Sequence, residues 1–382
     1  MSTSNNNPDP IKRIHGQGFV DYTITRRLPK ILANIEDQLK GQTAQTMLQA
    51  IIAGSAIDTS IFKRPTTYWH NYLDQLTDLT WDDLPFFDLE FLFYHGLNSI
   101  AGYFDAKVDV FHQARQKALT QAIPDLMTGL TTISDLSGID LLRATIRGAL
   151  FANETDYSQL ITSQGDASDW NQRLLLDESE AWISHLQQNC QQGEIHIIAD
   201  NAGHELCWDL VMVDALLRLF NTTNVVIHVK PWPMFVSDAL AMDVEETINT
   251  FLNNGLSKDM RLLGQRLQTA MEHDRIRIQA EADWGEPRHF NALDKNLETT
   301  LSKSAGVFCK GDLNYRRLVQ DLQWPIDTPA EVATATVLFD AFALRVLKSD
   351  ALIGIETATT ETAAAQFNDW RTRGYFAVMQ RL

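Results

Sequence analysis

The chain has 382 residues, 45% hydrophobic and 21% charged, enough apolar material for one large domain or two. Its 49 acidic residues against 32 basic ones give a formal charge of −17, a field that disfavours nucleic acid and anionic membrane surfaces as partners. Three cysteines, Cys190, Cys207 and Cys309, are too few and too scattered for a disulfide framework or a zinc cluster, which fits a reducing cytosol.

Residues 1–15 open on a polar run and lack the charged-then-apolar pattern of a secretory leader. They are expected to form a disordered tail on a cytoplasmic protein. From Tyr22 to Cys190 the helical period dominates, so residues 16–190 are expected to form an all-helical subdomain. The window Phe86 to Phe104 is the most apolar, but Asp88, Glu90 and His95 inside it favour a buried helix over a membrane span. Leu141 to Arg147 and Glu178 to Gln188 continue the helical pattern, and no alternating strand is read before residue 190.

After Gly193 short apolar runs alternate with helices. Strands are predicted at Glu194–Ala199, Asn224–Lys230, Arg275–Ala280 (an edge), Ala305–Lys310, Phe342–Leu347 and Ala351–Ile355. Helices are predicted at His204–Phe220 and Val244–Met271. Strands separated by helices imply crossovers. The fold class is therefore α/β: residues 191–382 form a Rossmann-like αβα sandwich with a mainly parallel sheet. In such sheets ligands sit at the carboxyl ends of the strands.

Four polar clusters fall at that edge. Asp200-Asn201 follow the first strand and Pro231 to Asp238 the second; Lys310 to Arg317 and Arg345 to Lys348 follow the later two. Asp200 and Asn201 are good helix caps, and equally a hard-oxygen pair suited to a divalent cation. Asp238 is either a third ligand or a second cap. Glu205 complements a helix dipole or accepts a ligand hydroxyl. Asp209 reads as structural, and His204 and Cys207 as ordinary surface and core residues. Arg345 and Lys348 alternate at a strand end or reach a phosphate. In Val307 to Leu318, an apolar strand breaks into cations, Asp and Asn, a mix that suits an anionic, hydroxyl-rich ligand.

Asp200-Asn201-Ala202-Gly203-His204-Glu205-Leu206 with Asp209-Leu210, then Phe235 to Asp238, Phe308 to Leu318 and Leu344 to Asp350, resemble the metal-dependent damage-control phosphatases. The branch is that of sugar-phosphate phosphatases related to protein-glutamate methyltransferase-like proteins. Upstream, Trp81 to Glu90 resembles the family's Trp…Pro-Trp…Glu helix, and Ala149 to Asp156 its Trp-Gly-Asn…Asp segment. The resemblance implies hydrolysis of hexose phosphates such as fructose 1-phosphate with one divalent metal ion (Mg, Mn, Co or Ni). It implies Asp200, Asn201 and Asp238 as metal ligands, and Asp200 and Lys348 as catalytic. It places Asn201, Glu205, Lys310, Asp312, Leu313, Asn314, Tyr315, Arg316, Arg345 and Lys348 at the sugar phosphate. The nucleophile is either a metal-bound water or Asp200 itself. Val346 stands where the branch has Thr, and Cys309 is inserted into its Phe-Lys-Gly. Glu356 to Thr359 replace a Gly-rich turn, and Arg373-Gly374-Tyr375 keep its last motif loosely. Two other readings fit the same fold: an S-adenosylmethionine-dependent carboxyl methyltransferase and a non-catalytic sugar-phosphate binder.

Overall fold

The computed structural model describes residues 7–39, 41–152, 169–221 and 223–382. Seven strands form one sheet: β1 (Leu174–Asp177), β2 (Ile195–Ile198), β3 (Val225–His228), β4 (Ile276–Gln279), β5 (Gly306–Lys310), β6 (Ala341–Val346) and β7 (Ala377–Arg381). Their order is β1-β7-β6-β5-β2-β3-β4. The five strands from β6 to β4 are parallel; β7 runs antiparallel to β6 and carries β1 parallel to itself. Strands β2, β3 and β5 are buried throughout, so they read as continuous Val/Ile/Phe runs rather than as alternation.

The chain steps outward from β2 to β3 and β4, then returns to β5 on the other side of β2. The order therefore reverses between β2 and β5, the switch point where open parallel sheets leave a crevice. Ile198 of β2 pairs in register with Cys309 of β5, so Asp200 and Gly311 come opposite one another two residues later.

Two of the expected boundaries shift. The helices His112–Thr132 and Gly138–Leu150 belong to the sandwich rather than to a separate subdomain. Their apolar faces join one core with the helix His204–Leu219 and the sheet. A separate cap core is built by residues between Val20 and Phe111, into which Trp232, Met234 and Leu313 project. Strand β1 also lies inside the segment expected to be all helical. Its Leu-Leu-Leu run has no alternation to reveal it, and its place on the sheet depends on β7, which is about 200 residues downstream.

Two further expectations are corrected. Ala351–Ile355 is a buried loop, not a strand; Ile353 N–H donates to Tyr315 Oη and Gln380 donates to Ile353 O, so side chains replace a ladder. The last strand is instead Ala377–Arg381. The expected N-terminal tail is held from Pro10 onward: Pro10 bridges Leu322, Ile11 N–H donates to Asp321 O, and Phe86 N–H donates to Ile11 O. Residues 1–6 of that tail lie outside the described residues. Among the described residues no helix is long and apolar enough to cross a membrane.

Candidate metal and phosphate site

Three elements bring carboxylates together at the β2–β5 crevice. Asp200 stands two residues past β2, and Glu205 lies on the first turn of the following helix. Asp238 closes the loop after β3. That loop is zipped to the β2 end by backbone bonds: Ala239 N–H donates to Asp200 O at 2.8 Å, and Ala202 N–H to Ser237 O at 2.7 Å. Asn201 is fixed on both sides. Its Nδ2 donates to Asp200 Oδ2 at 2.8 Å and to Glu205 Oε1 at 3.1 Å, while Ser237 Oγ donates to its Oδ1 at 2.5 Å.

Backbone geometry brings these groups close. Gly203 has φ +76 and leads into the His204–Leu219 helix, and a Cβ there would meet Ala118 at 2.7 Å. Gly311, at φ +80, begins the Gly311–Leu318 helix directly against the Asp200 carboxylate. In the loop before Asp238, Phe235 and Val236 adopt φ +49 and +69. A β-branched residue in the left-handed region is strained, and such strain persists only where packing enforces it. Here Phe235 is held against Phe91 and Tyr94 of the cap helix Phe86–Ala101, at ring distances of 5.1 and 4.8 Å.

The electrostatics are those of a buried anionic cluster. Burial pushes the Asp200 carboxyl well above its usual range; Glu205 and Asp238 add to this, and Lys348 and Lys230 oppose it. Burial likewise raises Asp238 to about 6 against the pull of Lys230. Lys230 is itself driven down by burial, with Asp238 acting in the opposite sense. Lys348 is exposed at the edge, and Glu205, Asp200 and Asp312 outweigh the desolvation that disfavours its charge.

This donor set fits a hard divalent cation. Asp238 Oδ2 is buried and accepts no well-aligned hydrogen bond, although Lys230 Nζ is 3.3 Å away. Two carboxylates, an amide oxygen and a nearby third carboxylate are oxygen chemistry suited to Mg²⁺ or Mn²⁺. Among the described residues no group of three His, Cys, Asp or Glu side chains is placed to hold a metal. His204 instead pairs with Asp125 at 3.1 Å, and Cys207 is buried.

The remaining candidates from the sequence have other commitments. Lys310 is buried, pairs with Asp209 at 2.7 Å and donates to Ala149 O at 2.7 Å. Asp312 accepts from Arg345 Nε at 2.8 Å, Lys348 N at 3.1 Å and Ser349 Oγ at 3.1 Å. Leu313 packs into the cap core. Asn314 Nδ2 donates to Lys310 O at 2.8 Å and, at longer range, to Ile198 O and Ala199 O. Tyr315 Oη bonds Gln380. Arg316 binds Glu90 at 2.5 Å and Asp321 at 2.8 Å. Arg345 is fully buried, also donating to Ser349 and to Ala351 O. The polar side chains among them are thus tied to partners within the protein. Asn153, Glu154, Thr155 and Asp156 lie outside the described residues.

Sequence reasoning passed over three residues. Lys230 closes the predicted strand Asn224–Lys230; the signal is a lysine ending a Val-Val-Ile-His-Val run, just ahead of a proline. Gly311 was read only as part of a polar run. Arg27 ends a π-helical turn (Thr23–Arg27), is exposed, and has no ion-pair partner among the described residues. Its guanidinium lies over the Phe19 ring at 5.6 Å, and its charge acts on Glu90, Tyr94 and Lys348.

The comparisons with known proteins agree with this architecture. The family model for the damage-control phosphatase ARMT1-like domain matches residues 23–362. Damage-control phosphatase ARMT1 of Danio rerio is 25% identical over 362 residues, covering 82% of this chain and 79% of the relative. The protein of the same name from Xenopus laevis is 24% identical, covering 86% and 82%; that from Homo sapiens is 24% identical, covering 85% and 80%. A solved DUF89 family protein of Pyrococcus horikoshii superposes with a TM-score of 0.52 over 97% of this chain and 99% of its own. At 11% identity, that likeness speaks to the fold alone.

Proposed function

The chain belongs to the family of damage-control phosphatases with an ARMT1-like domain, and from that premise we propose that it is a metal-dependent phosphatase of small phosphorylated metabolites. Hexose phosphates such as fructose 1-phosphate are the substrate class we assign. The observation that carries this reading is the meeting of Asp200, Asn201 and Asp238 at the β2–β5 crevice, with Lys348 across from them.

Asp200, Asn201 and Asp238 would hold one divalent ion. When bound, such an ion neutralises phosphoryl oxygens and makes phosphorus more electrophilic. The chain's own residues do the rest. Lys348, kept charged by the facing carboxylates, neutralises a phosphoryl oxygen from the β6 side, and Arg27 does so from the cap. The N-terminus of the Gly311–Leu318 helix presents its first backbone N–H groups to the same space. Glu205 accepts a hydroxyl of the sugar. Hydrolysis replaces the ester P–O bond by a P–O bond from water, and the departing sugar oxygen takes the proton. In the covalent alternative Asp200 receives the phosphoryl group first, and acid-quench trapping of a phospho-enzyme distinguishes the two.

The loop from Asp200 to Gly203 supplies one carboxylate and one amide rather than a glycine-rich cradle, which favours the phosphatase over a methyl-donor enzyme. The test is phosphate release from a panel of sugar phosphates by chelator-treated protein, with Mg²⁺, Mn²⁺, Co²⁺ or Ni²⁺ restored. Release that needs the metal, and that is lost in a folded Asp238→Ala variant, is the expected result. No release from any sugar phosphate with any of these metals sinks the proposal.

A further inference from the structure

Lys230 is a fully enclosed cation beside the crevice. Its side chain is 2% exposed and that of Asp238 3%, with Nζ 3.3 Å from Oδ2. Among the described residues it is the only ion-pair partner of Asp238. The two residues are also the ends of one loop. Lys230 N–H donates to Ala239 O at 2.9 Å, Lys230 bridges Leu240, and the intervening segment carries the left-handed Phe235 and Val236. The loop's main chain is thus anchored without the lysine side chain. What the ammonium adds is charge at a carboxylate whose Oδ2 has no well-aligned donor. Arg317, the other buried cation near Asp238, directs its Nη donors to the carbonyls of Arg288, Trp284 and Glu286 and forms no ion pair with Asp238 among the described residues.

We propose that Lys230 is a built-in counter-ion for the cation site: it holds Asp238 in place while the site is empty and lowers the affinity for the divalent ion that displaces its charge. This rests on the reading of Asp200, Asn201 and Asp238 as the cation ligands. The argument is one of sign. A buried carboxylate set without a cation destabilises the empty protein, whereas a fixed positive charge beside the site repels an incoming one. Removing Lys230's charge while keeping its bulk therefore weakens the empty state and tightens metal binding together. A residue that merely fills space would weaken both.

The experiment compares wild type with Lys230→Met by calorimetric titration of Mn²⁺ into chelator-treated protein and by thermal melting with and without Mn²⁺. The expected result for Lys230→Met is a lower melting temperature without metal, a Kd for Mn²⁺ on the order of tenfold smaller, and a larger melting shift on adding the metal. In metal-free protein, adding Asp238→Asn to Lys230→Met should recover part of the lost melting temperature, since the orphaned charge is gone. Unchanged or weaker Mn²⁺ binding by folded Lys230→Met overturns the inference while leaving the metal site standing. A wild type that binds none of Mg²⁺, Mn²⁺ or Co²⁺ overturns the reading of the site itself, and the inference with it. Should Lys230→Met fold in neither state, Lys230→Gln is judged by the same two criteria.

Discussion

Gly311 approaches Asp200 so closely that a Cβ at position 311 would stand 1.9 Å from Asp200 Oδ2 and 2.2 Å from its Cγ. The contact follows from the register of β2 on β5 and from φ +80 at Gly311, which turns the chain out of the strand into the Gly311–Leu318 helix. No other residue type meets both demands. Gly311→Ala must therefore move Asp200 or the helix start. We expect a loss of activity of about 10²-fold or more, from displacement of a group that needs sub-ångström placement. Stability should fall by roughly 1–2 kcal/mol from the left-handed backbone alone. Phosphate-release kinetics beside chemical denaturation check both numbers; wild-type kcat in a folded variant would show that this contact does not position Asp200.

Lys348 and Arg316 look alike in the sequence, as cations past the end of a strand, but they differ in partners. Lys348 is exposed and faces Glu205 and Asp200. Arg316 is buried, binds Glu90 and Asp321, and lies over the Phe86 ring at 4.8 Å, fastening the sandwich to the cap. Lys348→Ala should leave unfolding nearly unchanged and lower kcat/KM by about 10²-fold. Arg316→Ala strands two buried carboxylates and should cost roughly 3–5 kcal/mol of stability. Denaturant midpoints and kinetics on the two variants decide between them; equal stability losses would contradict the assignment.

Strands β2, β3 and β5 were legible because each is a short buried apolar run between helices, and β4 because its Ile-Arg-Ile-Gln alternates as an edge strand does; the carboxyl-edge rule then pointed to Asp200, Asn201, Asp238 and Lys348. The partners of Lys310, Asn314, Arg316 and Arg345 were not legible. Each satisfies a group distant in sequence, such as Ala149 O or Glu90, and a local pattern carries no trace of it. The same holds for β1, whose strand character depends on β7, and for the side-chain-capped loop at Ile353. Family resemblance pointed to the polar run after β5 as the sugar wall; the close approach of its backbone at Gly311 to the Asp200 carboxylate carries no signal in a local pattern.

Trp208 sits where the helices His112–Thr132 and Gly138–Leu150 meet the helix His204–Leu219. A Cβ on Gly129 would come within 2.4 Å of its ring, and one on Gly148 within 2.3 Å. In an exposed helix, Gly→Ala stabilises by up to about 1 kcal/mol. Here the sign reverses, because the added methyl meets a rigid indole in a filled core. Gly148→Ala should destabilise by roughly 1–3 kcal/mol. Pairing it with Trp208→Leu should recover part of the loss, and a double-mutant cycle by urea denaturation measures that recovery. Stabilisation by the single substitution would mean that the indole moves freely.

Asp88, on the cap helix, accepts from Tyr72 Oη at 2.7 Å. Burial raises its carboxyl to about 6 from 3.8 in spite of that bond, with Asp321 adding to the rise. The folded state thus binds a proton that the unfolded chain has released. Asp88's contribution is complete below about pH 3.8 and is lost as pH rises through about 6. Two pH units correspond to at most about 3 kcal/mol, and because the side chain is only half-buried, roughly 1–2 kcal/mol is the expected size. Asparagine keeps the acceptor for Tyr72 and has no charge to lose. Asp88→Asn should therefore match wild type in stability near pH 3.5 and exceed it at pH 7.5, with the gap opening between pH 4 and 6. Urea unfolding of both proteins across that range gives the difference directly; a gap that does not change with pH would place the Asp88 carboxylate in water rather than in the cap core.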